Sequence, residues 1–405
     1  STLRTAAQDR VRFVPYGETY EGRKLYLAIL SSPENLNRLV EIKSSIHKLA
    51  DPRTITDSEA EQIIKNSPAV VWLSYGVHGN EASSPEAALS VLYQLAARTD
   101  NETTSLLKNL VIIIDPLLNP DGHERYVNFQ TAHSGTKPVE DKNADEHNED
   151  WPSGRTNHYF FDLNRDWTWL TQKESQARIR TYQEWKPQVH VDFHEMSYNS
   201  SYFFFPAAKP INTNLPKSVI EWGQIYGKAN AAAFDTMGWS YYSRESFDLL
   251  YPGYGDSWPS LSGAIGMTYE QAGGVGIRVK RADENILTLK DRIDRHTATS
   301  WATLKATELN REKRLRDFYS FFKEAINEGK SGPVRAIIVH PANDPARAAK
   351  MIALLRQQGV EVSRALNEFS LDDLETYFIK KTASKKFPAG TYIVPLAQPA
   401  KRLIM

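Results

Sequence analysis

Residues 69–81 read Ala-Val-Val-Trp-Leu-Ser-Tyr-Gly-Val-His-Gly-Asn-Glu, and this stretch decides the fold. Ala69–Tyr75 carries no charge and no turn former, so it reads as a short strand buried on both faces. It runs through Gly76 straight into His78 and Glu81, two side chains that can bind a metal or move a proton. Ligands of open α/β sheets bind outside the carboxyl ends of the strands, and this strand delivers chemistry at that end.

The flanks repeat the pattern. Ser84-Pro85 reads as an N-cap followed by proline in the first turn, opening a helix to about Leu95. Leu110–Leu117 is a second apolar strand that ends at Asn119-Pro120-Asp121-Gly122, a strong turn signal. Upstream, Lys24–Leu30 alternates as a strand, and Asn35 opens a helical stretch with Leu36, Leu39, Val40 and Ile46 on one face. Val189–Phe193, Tyr202–Phe205 and Ala264–Tyr269 supply further strands, whereas residues 131–158 are polar and read as a long surface loop rimming a cleft. Strands alternating with helices predict an α/β sheet covered on both faces.

From Ala282 the spacing turns helical, through Ile286, Leu289 and Ile293 and again through Leu315, Phe318 and Phe322. Gly329–Pro333 reads as a linker. A β-α-β unit follows, with Val334–Val339, a helix from Asp344-Pro345 to Gln358, Val360–Arg364, and a further strand at Thr391–Leu396. The expected organisation is therefore a catalytic domain over 1–328 and a small α/β accessory module over 334–405. That module ends inside an apparent new element, as if a longer polypeptide continued.

Composition removes several classes of function. The 405 residues are 41% hydrophobic and 24% charged, an ordinary globular balance. Lys plus Arg equals Asp plus Glu at 49 each, which gives no electrostatic footprint for nucleic acid or an anionic membrane. The aliphatic run Leu110–Ile114 is far short of the roughly 20 residues a membrane helix needs. The residues from Ser1 onward do not read as a signal peptide, which a mature or trimmed chain would share. The absence of cysteine excludes disulfides, thiol nucleophiles and Cys-ligated zinc, and leaves His and carboxylates as metal ligands. Gly-x-Ser-x-Gly, phosphate-loop and dinucleotide fingerprints are absent, and His194-Glu195-Met196-Ser197-Tyr198 lacks the second His of a zincin.

His78 and Glu81, three apart after one strand, and His194 after another form a His/Glu/His set suited to a catalytic zinc with an open fourth position. Glu270 follows a third strand and Asn119–Gly122 a fourth. Singly, each has a bland reading: a chance His-x-x-Glu pair, a hydrogen-bonded histidine, a salt-bridged strand end, a turn. The functional reading rests on their joint order and shared strand-end context.

That joint order resembles the zinc carboxypeptidases. His78-Gly79-Asn80-Glu81 is similar to the ligand motif of the regulatory N/E-type branch, and Asn119–Gly122 to the family's turn after a central strand. Gly154-Arg155-Thr156-Asn157 followed by Asp162-Leu163-Asn164-Arg165 resembles that branch's Gly-Arg-x-Asn … Asp-Leu-Asn-Arg block. The resemblance spans roughly residues 15–300. It implies a mixed, mostly parallel sheet with helices on both faces, and one zinc per chain held by His78, Glu81 and His194. It implies Asp162 behind His78, Glu270 as general base and then acid, Arg155 on the oxyanion, and Asn164 and Arg165 on the substrate's terminal carboxylate. For the family's mobile tyrosine, Tyr251 is the first candidate and Tyr254 the alternative. Counting back from Glu270, the specificity position falls on Gly255, which would leave room for a large side chain, beside Asp256, which would favour Lys or Arg.

The expected activity is hydrolysis of the C-terminal peptide bond of peptides. The alternatives are a zinc amidohydrolase, deacylase or peptidoglycan-peptide hydrolase on the same fold, and a non-catalytic peptide binder, against which intact Glu270 and Arg155 speak. The partner is a peptide or small amide with a free carboxylate. His133, His147 and His158 read as loop histidines. The family is commonly exported, which makes a periplasmic or secreted location the expectation.

Overall fold

The computed structural model describes residues 7–274, 276–376 and 382–405. Two compact units divide the chain, Ser1–Phe321 and Phe322–Met405. Among the described residues of the first unit an eight-stranded sheet is formed by β1 (Val11–Glu18), β2 (Lys24–Leu30), β3 (Ala69–Tyr75), β4 (Leu110–Asp115), β5 (Val189–Met196), β6 (Tyr202–Phe203), β7 (Tyr241–Tyr242) and β8 (Ile265–Ala272). Their order is β1-β2-β4-β3-β5-β8-β6-β7. The four central strands β4, β3, β5 and β8 run parallel, while β2 pairs antiparallel with both β1 and β4 and β6 pairs antiparallel with β8. The sheet is mixed and mostly parallel in its centre, as the resemblance implies.

Five helices matter for the site: α1 (Ser83–Ala97), α2 (Pro120–His133), α3 (Lys173–Trp185), α4 (Lys217–Met237) and α5 (Leu289–Leu309). Every residue of β3 and β4 is buried, which accounts for their unbroken apolar character. Side chains alternate across the sheet, so its two faces differ. On one face Tyr75 stacks on Phe193 at 4.2 Å, and the Tyr75 and Tyr269 hydroxyls lie 2.8 Å from Ser300 and Thr303 of α5. On the other face, register aligns Asp115, Ser74, Asp192 and Thr268 across β4, β3, β5 and β8. This polar row lies on the side packed by α3, whose Tyr182 contacts Trp72.

Local chemistry explains where the elements depart from expectation. Helix α1 starts at Ser83, and Ser84 is not its cap: the Ser84 hydroxyl accepts from Gly76 N–H (3.0 Å) and donates to Phe193 C=O (3.2 Å), tying β3 to β5. The Asn119–Gly122 turn opens α2, because Asn119 Oδ1 accepts from Gly122 N–H (2.9 Å) and Pro120 sits in the first turn. Ile286 lies in a short hairpin (Arg278–Lys280 with Ile286–Thr288), and α5 begins after it with a capping box between Thr288 and Asp291.

In the second unit, strands Ala336–Val339, Tyr392–Pro395 and Ser363–Arg364 form a small sheet with the helix Pro345–Gln357, and Phe369–Leu374 pairs with Thr382–Phe387. The stretch read as a linker is helical as far as Ser331. There a Cβ on Gly329 would meet Leu396 C=O at 2.0 Å, so the glycine permits close packing. Among the described residues no helix is long and apolar enough to cross a membrane.

Candidate active site

The segments leaving the carboxyl ends of β3 and β4 meet the long connection between α2 and α3 backbone to backbone. A Cβ on Gly79 would lie 2.1 Å from His123 N and 2.8 Å from Gly154 O, and one on Gly122 would lie 2.3 Å from Gly154 O. Only glycine allows these three segments so close. Side chains fix the assembly: Asn80 Nδ2 donates to Glu149 (2.8 Å), Glu149 accepts from Gly154 N–H (2.6 Å), and Asn119 Nδ2 donates to Arg155 C=O (3.1 Å). Asp121 takes the hydroxyl of Thr19 (2.7 Å) and the guanidinium of Arg23 (2.8 Å), pinning the β1–β2 turn.

His78, Glu81 and His194 converge here, all buried, with one potential ligand atom of each within 4.8 Å of the others. His78 Nδ1 lies 2.7 Å from Glu81 Oε1, His194 Nδ1 lies 3.1 Å from Glu81 Oε2, and the two Nδ1 atoms are 3.2 Å apart. Two ring nitrogens and a carboxylate facing one another need protons or a cation between them. An ion with ligand bonds of about 2.0–2.2 Å and a preference for imidazole and carboxylate suits this donor set, so the residues fit zinc. Burial opposes ionisation of Glu81, but the charges of the two histidines outweigh it and hold the carboxyl well below the usual range.

Both histidines are backed by carboxylates. His78 Nε2 lies 3.1 Å from Asp162 Oδ1, and His194 Nε2 lies 2.9 Å from Asp192 Oδ2. Asp162 also accepts from Arg155 (2.9 and 3.2 Å) and from Asn164 N–H (2.8 Å). Arg155 Nη1 stands 3.3 Å from His78 Nδ1. Glu270 pairs in register with His194 and is 8% exposed. Burial pushes its carboxyl up to about 8; the His194 charge works against this, and Glu81 adds to it.

A cavity of about 320 Å³ joins these groups and is also lined by Asn164, Arg165, Tyr254, Asp248, Asp256 and Thr268. Arg165 lies over the Tyr254 ring at 4.6 Å. Tyr251 is outside the lining, its hydroxyl accepting from Trp169 Nε1 at 2.8 Å, so of the two candidate tyrosines the cavity holds Tyr254. The room expected at Gly255 is already filled, because a Cβ there would lie 2.1 Å from Asp192 Oδ2. The acidic neighbour does line the cavity: Asp256 accepts from Ser257 and Thr268 hydroxyls (both 2.9 Å), and burial pushes its carboxyl up to about 6. His147 and His133 bond to loop or helix carbonyls, and His158 pairs with Glu21.

Sequence reasoning missed Asp192, Glu149 and the Arg292–Glu195 pair. Arg292 is buried and donates to Glu195 (3.1 Å), Gly274 C=O (2.7 Å) and Gly276 C=O (2.6 Å), and Glu195 accepts from Ser83 N–H (2.8 Å). The period-two series His190, Asp192, His194 inside an apolar strand was the available signal for Asp192.

The zinc carboxypeptidase family profile matches residues 1–214, and the chain belongs to this family. Carboxypeptidase 2 of Trichophyton tonsurans is 28% identical over 130 residues, which is 31% of this chain and 18% of the fungal protein. The probable carboxypeptidase 2 of Arthroderma benhamiae matches equally, with 19% of its length covered, so the chain spans about a fifth of the curated relatives it matches. Among solved structures, a metallo-carboxypeptidase from Burkholderia cenocepacia superimposes with a TM-score of 0.51 at 15% identity, covering 76% of this chain and 68% of that one. Thrombin activatable fibrinolysis inhibitor gives 0.50 at 16% identity, covering 77% and 74%. At these identities the structures establish the shared fold.

Proposed function

We propose that the chain is a zinc-dependent carboxypeptidase that hydrolyses the C-terminal peptide bond of peptides, closest in motifs to the regulatory N/E-type branch. The observation that carries this is the convergence of His78, Glu81 and His194 on one cavity with Glu270, Arg155, Asn164 and Arg165. His78, Glu81 and His194 hold the ion, which when bound acidifies a water and polarises the scissile carbonyl. Glu270, paired in register with His194 and lining the same cavity, takes the water's proton and returns it to the leaving amine. Arg155, anchored through Asp162, presents Nη1 toward the ligand cluster, where negative charge develops on the carbonyl oxygen. Asn164 and Arg165 bind the terminal carboxylate, Arg165 braced on Tyr254. Asp248 and Asp256 in the lining favour a cationic terminal side chain.

The test is a pool of peptides with varied C-termini, read by mass spectrometry with and without chelator, on protein of known zinc content. Chelator-sensitive loss of single C-terminal Lys or Arg is the expected result. Loss of other residues would overturn the pocket assignment. An intact pool with one zinc per chain would overturn the peptide reading in favour of a small-amide or cell-wall-peptide hydrolase. An intact pool without zinc would leave a peptide-binding scaffold.

A further inference from the structure

His194 needs its Nδ1 lone pair free if it is to hold a cation, so its ring proton must sit on Nε2. Two groups compete for that nitrogen. Asn164 Nδ2 stands 3.1 Å away and, as a donor, favours an unprotonated Nε2. Asp192 Oδ2 stands 2.9 Å away, at ion-pair distance but off the line of an N–H bond, and its charge favours the protonated one. The Asn164 amide is held in this sense because its Oδ1 accepts from Gly255 N–H at 2.8 Å, so a flip would set a donor against a donor. Asp192 is fully buried in the middle of the sheet. Keeping a carboxylate at such a depth is costly without a cation or donor to face. The buried guanidinium of Arg178, stacked 3.9 Å over Trp167, supplies part of the compensating charge.

We infer that Asp192 is a positioning residue: it fixes His194 in the tautomer and orientation that can bind the ion, and Gly255 is glycine because that carboxylate occupies the space of its side chain. The inference rests on His194 being a ligand, as proposed above. It gives His194 the support that Asp162 gives His78, and carboxylates behind ligating histidines raise their basicity and hold their rings. It also joins the ligand shell to the cavity wall, because residue 255 precedes Asp256 and its N–H anchors Asn164. A side chain at 255 and a carboxylate at 192 are mutually exclusive, since the Cβ would lie 2.1 Å from Asp192 Oδ2 and 2.8 Å from its Cγ.

The experiment measures zinc affinity by chelator competition on the full chain, with denaturant stability of the metal-free protein recorded in parallel. Asp192→Asn should weaken zinc binding roughly 10–100-fold, the usual cost of losing such a support. Gly255→Ala should do the same without altering any charge, by displacing the carboxylate. In the Asp192→Ala background the Gly255→Ala change should cost no further zinc affinity, because the carboxylate it would displace is gone and the nearest remaining contact is Trp167 Nε1 at 3.2 Å. Zinc affinity within threefold of the parent for both Asp192→Asn and Gly255→Ala would overturn the inference, as would a stability loss in the metal-free state without an affinity loss. Should Asp192→Ala fail to fold, the two single variants still decide it. A parent chain that binds no zinc would sink the ligand assignment itself, whereas a zinc-binding parent with indifferent variants sinks only the role of Asp192.

Discussion

Asp115 and Asp192 occupy the same row of the sheet, one on either side of Ser74, and both are fully buried, yet they titrate in opposite directions. Burial pushes Asp115 up to about 7, with the Tyr16 hydroxyl and Arg178 only partly offsetting it. Asp192 meets the same burial, but the charge of His194, 2.9 Å away, holds it below the usual range. Depth is equal, so the neighbour decides. The β5 end of the row faces the ligand cluster and keeps its charge; the β4 end faces a phenol and tends to lose it. Glu270, one step further along the same face of β8, combines the two: it is buried like Asp115 and placed beside the ligands like Asp192.

That combination gives the largest expected effect. Glu270→Gln keeps the shape and removes the base, so kcat should fall by about 10²–10⁴-fold, the usual contribution of a positioned proton-transfer group. Zinc content, measured on the same preparation, should stay at the parent value because Glu270 is not in the ligand set. A near-normal kcat would erase the distinction between the catalytic and structural carboxylates of this face.

The sequence revealed the strand ends and failed on what lies between them. His78, Glu81, His194 and Glu270 follow apolar strands or close them, and a strand buried on both faces leaves few places for such residues except its end. Motif order then sufficed to group them. Asp192 was passed over although it stands in the alternating series His190, Asp192, His194, and Asp115 because a lone carboxyl closing an apolar run reads as the start of a turn. Only register, which depends on which strands are neighbours, lines them up with Ser74 and Thr268. Gly255 shows the same gap: in sequence an open pocket at Gly255 and an acidic one at Asp256 are equal readings, while in space Asp192 takes up the room beside Gly255. Tyr251 and Tyr254 are likewise both candidates in sequence, and only the fold puts Tyr254 in the cavity lining and Tyr251 on Trp169, a partner distant in the chain.

The next effect down tests the β4 end. A carboxyl whose folded pKa lies above its unfolded value binds its proton more tightly when folded, so its stabilising contribution is complete below the unfolded value and is lost as pH rises to the folded one. For Asp115 that window runs from about 4 to about 7. Asp115→Asn carries no such penalty and can still accept from Tyr16. Denaturant unfolding at pH 8 should therefore find the variant more stable than the parent, by up to about 4 kcal/mol, with the difference shrinking toward pH 4. Equal pH profiles for the two proteins would mean that Asp115 is charged when folded and that the two ends of the row do not differ.

The smallest effect sharpens the same contrast. Tyr16 is the direct donor to Asp115, at 3.0 and 3.1 Å to the two oxygens, and its hydrogen bond favours the charged form. Tyr16→Phe removes that donor while keeping the ring. A hydrogen bond to a neutral acid is worth about 0.5–1.5 kcal/mol and one to a carboxylate about 1.5–3 kcal/mol. The variant should lose about 1 kcal/mol at pH 5 and more at pH 8, and its decline in stability should extend to higher pH than the parent's. Paired with Asp115→Asn, the change should cost nearly the same at both pH values, because the acceptor no longer titrates. A pH-independent loss in the single variant would show that Tyr16 contributes by packing alone, and that some other group sets the charge of Asp115.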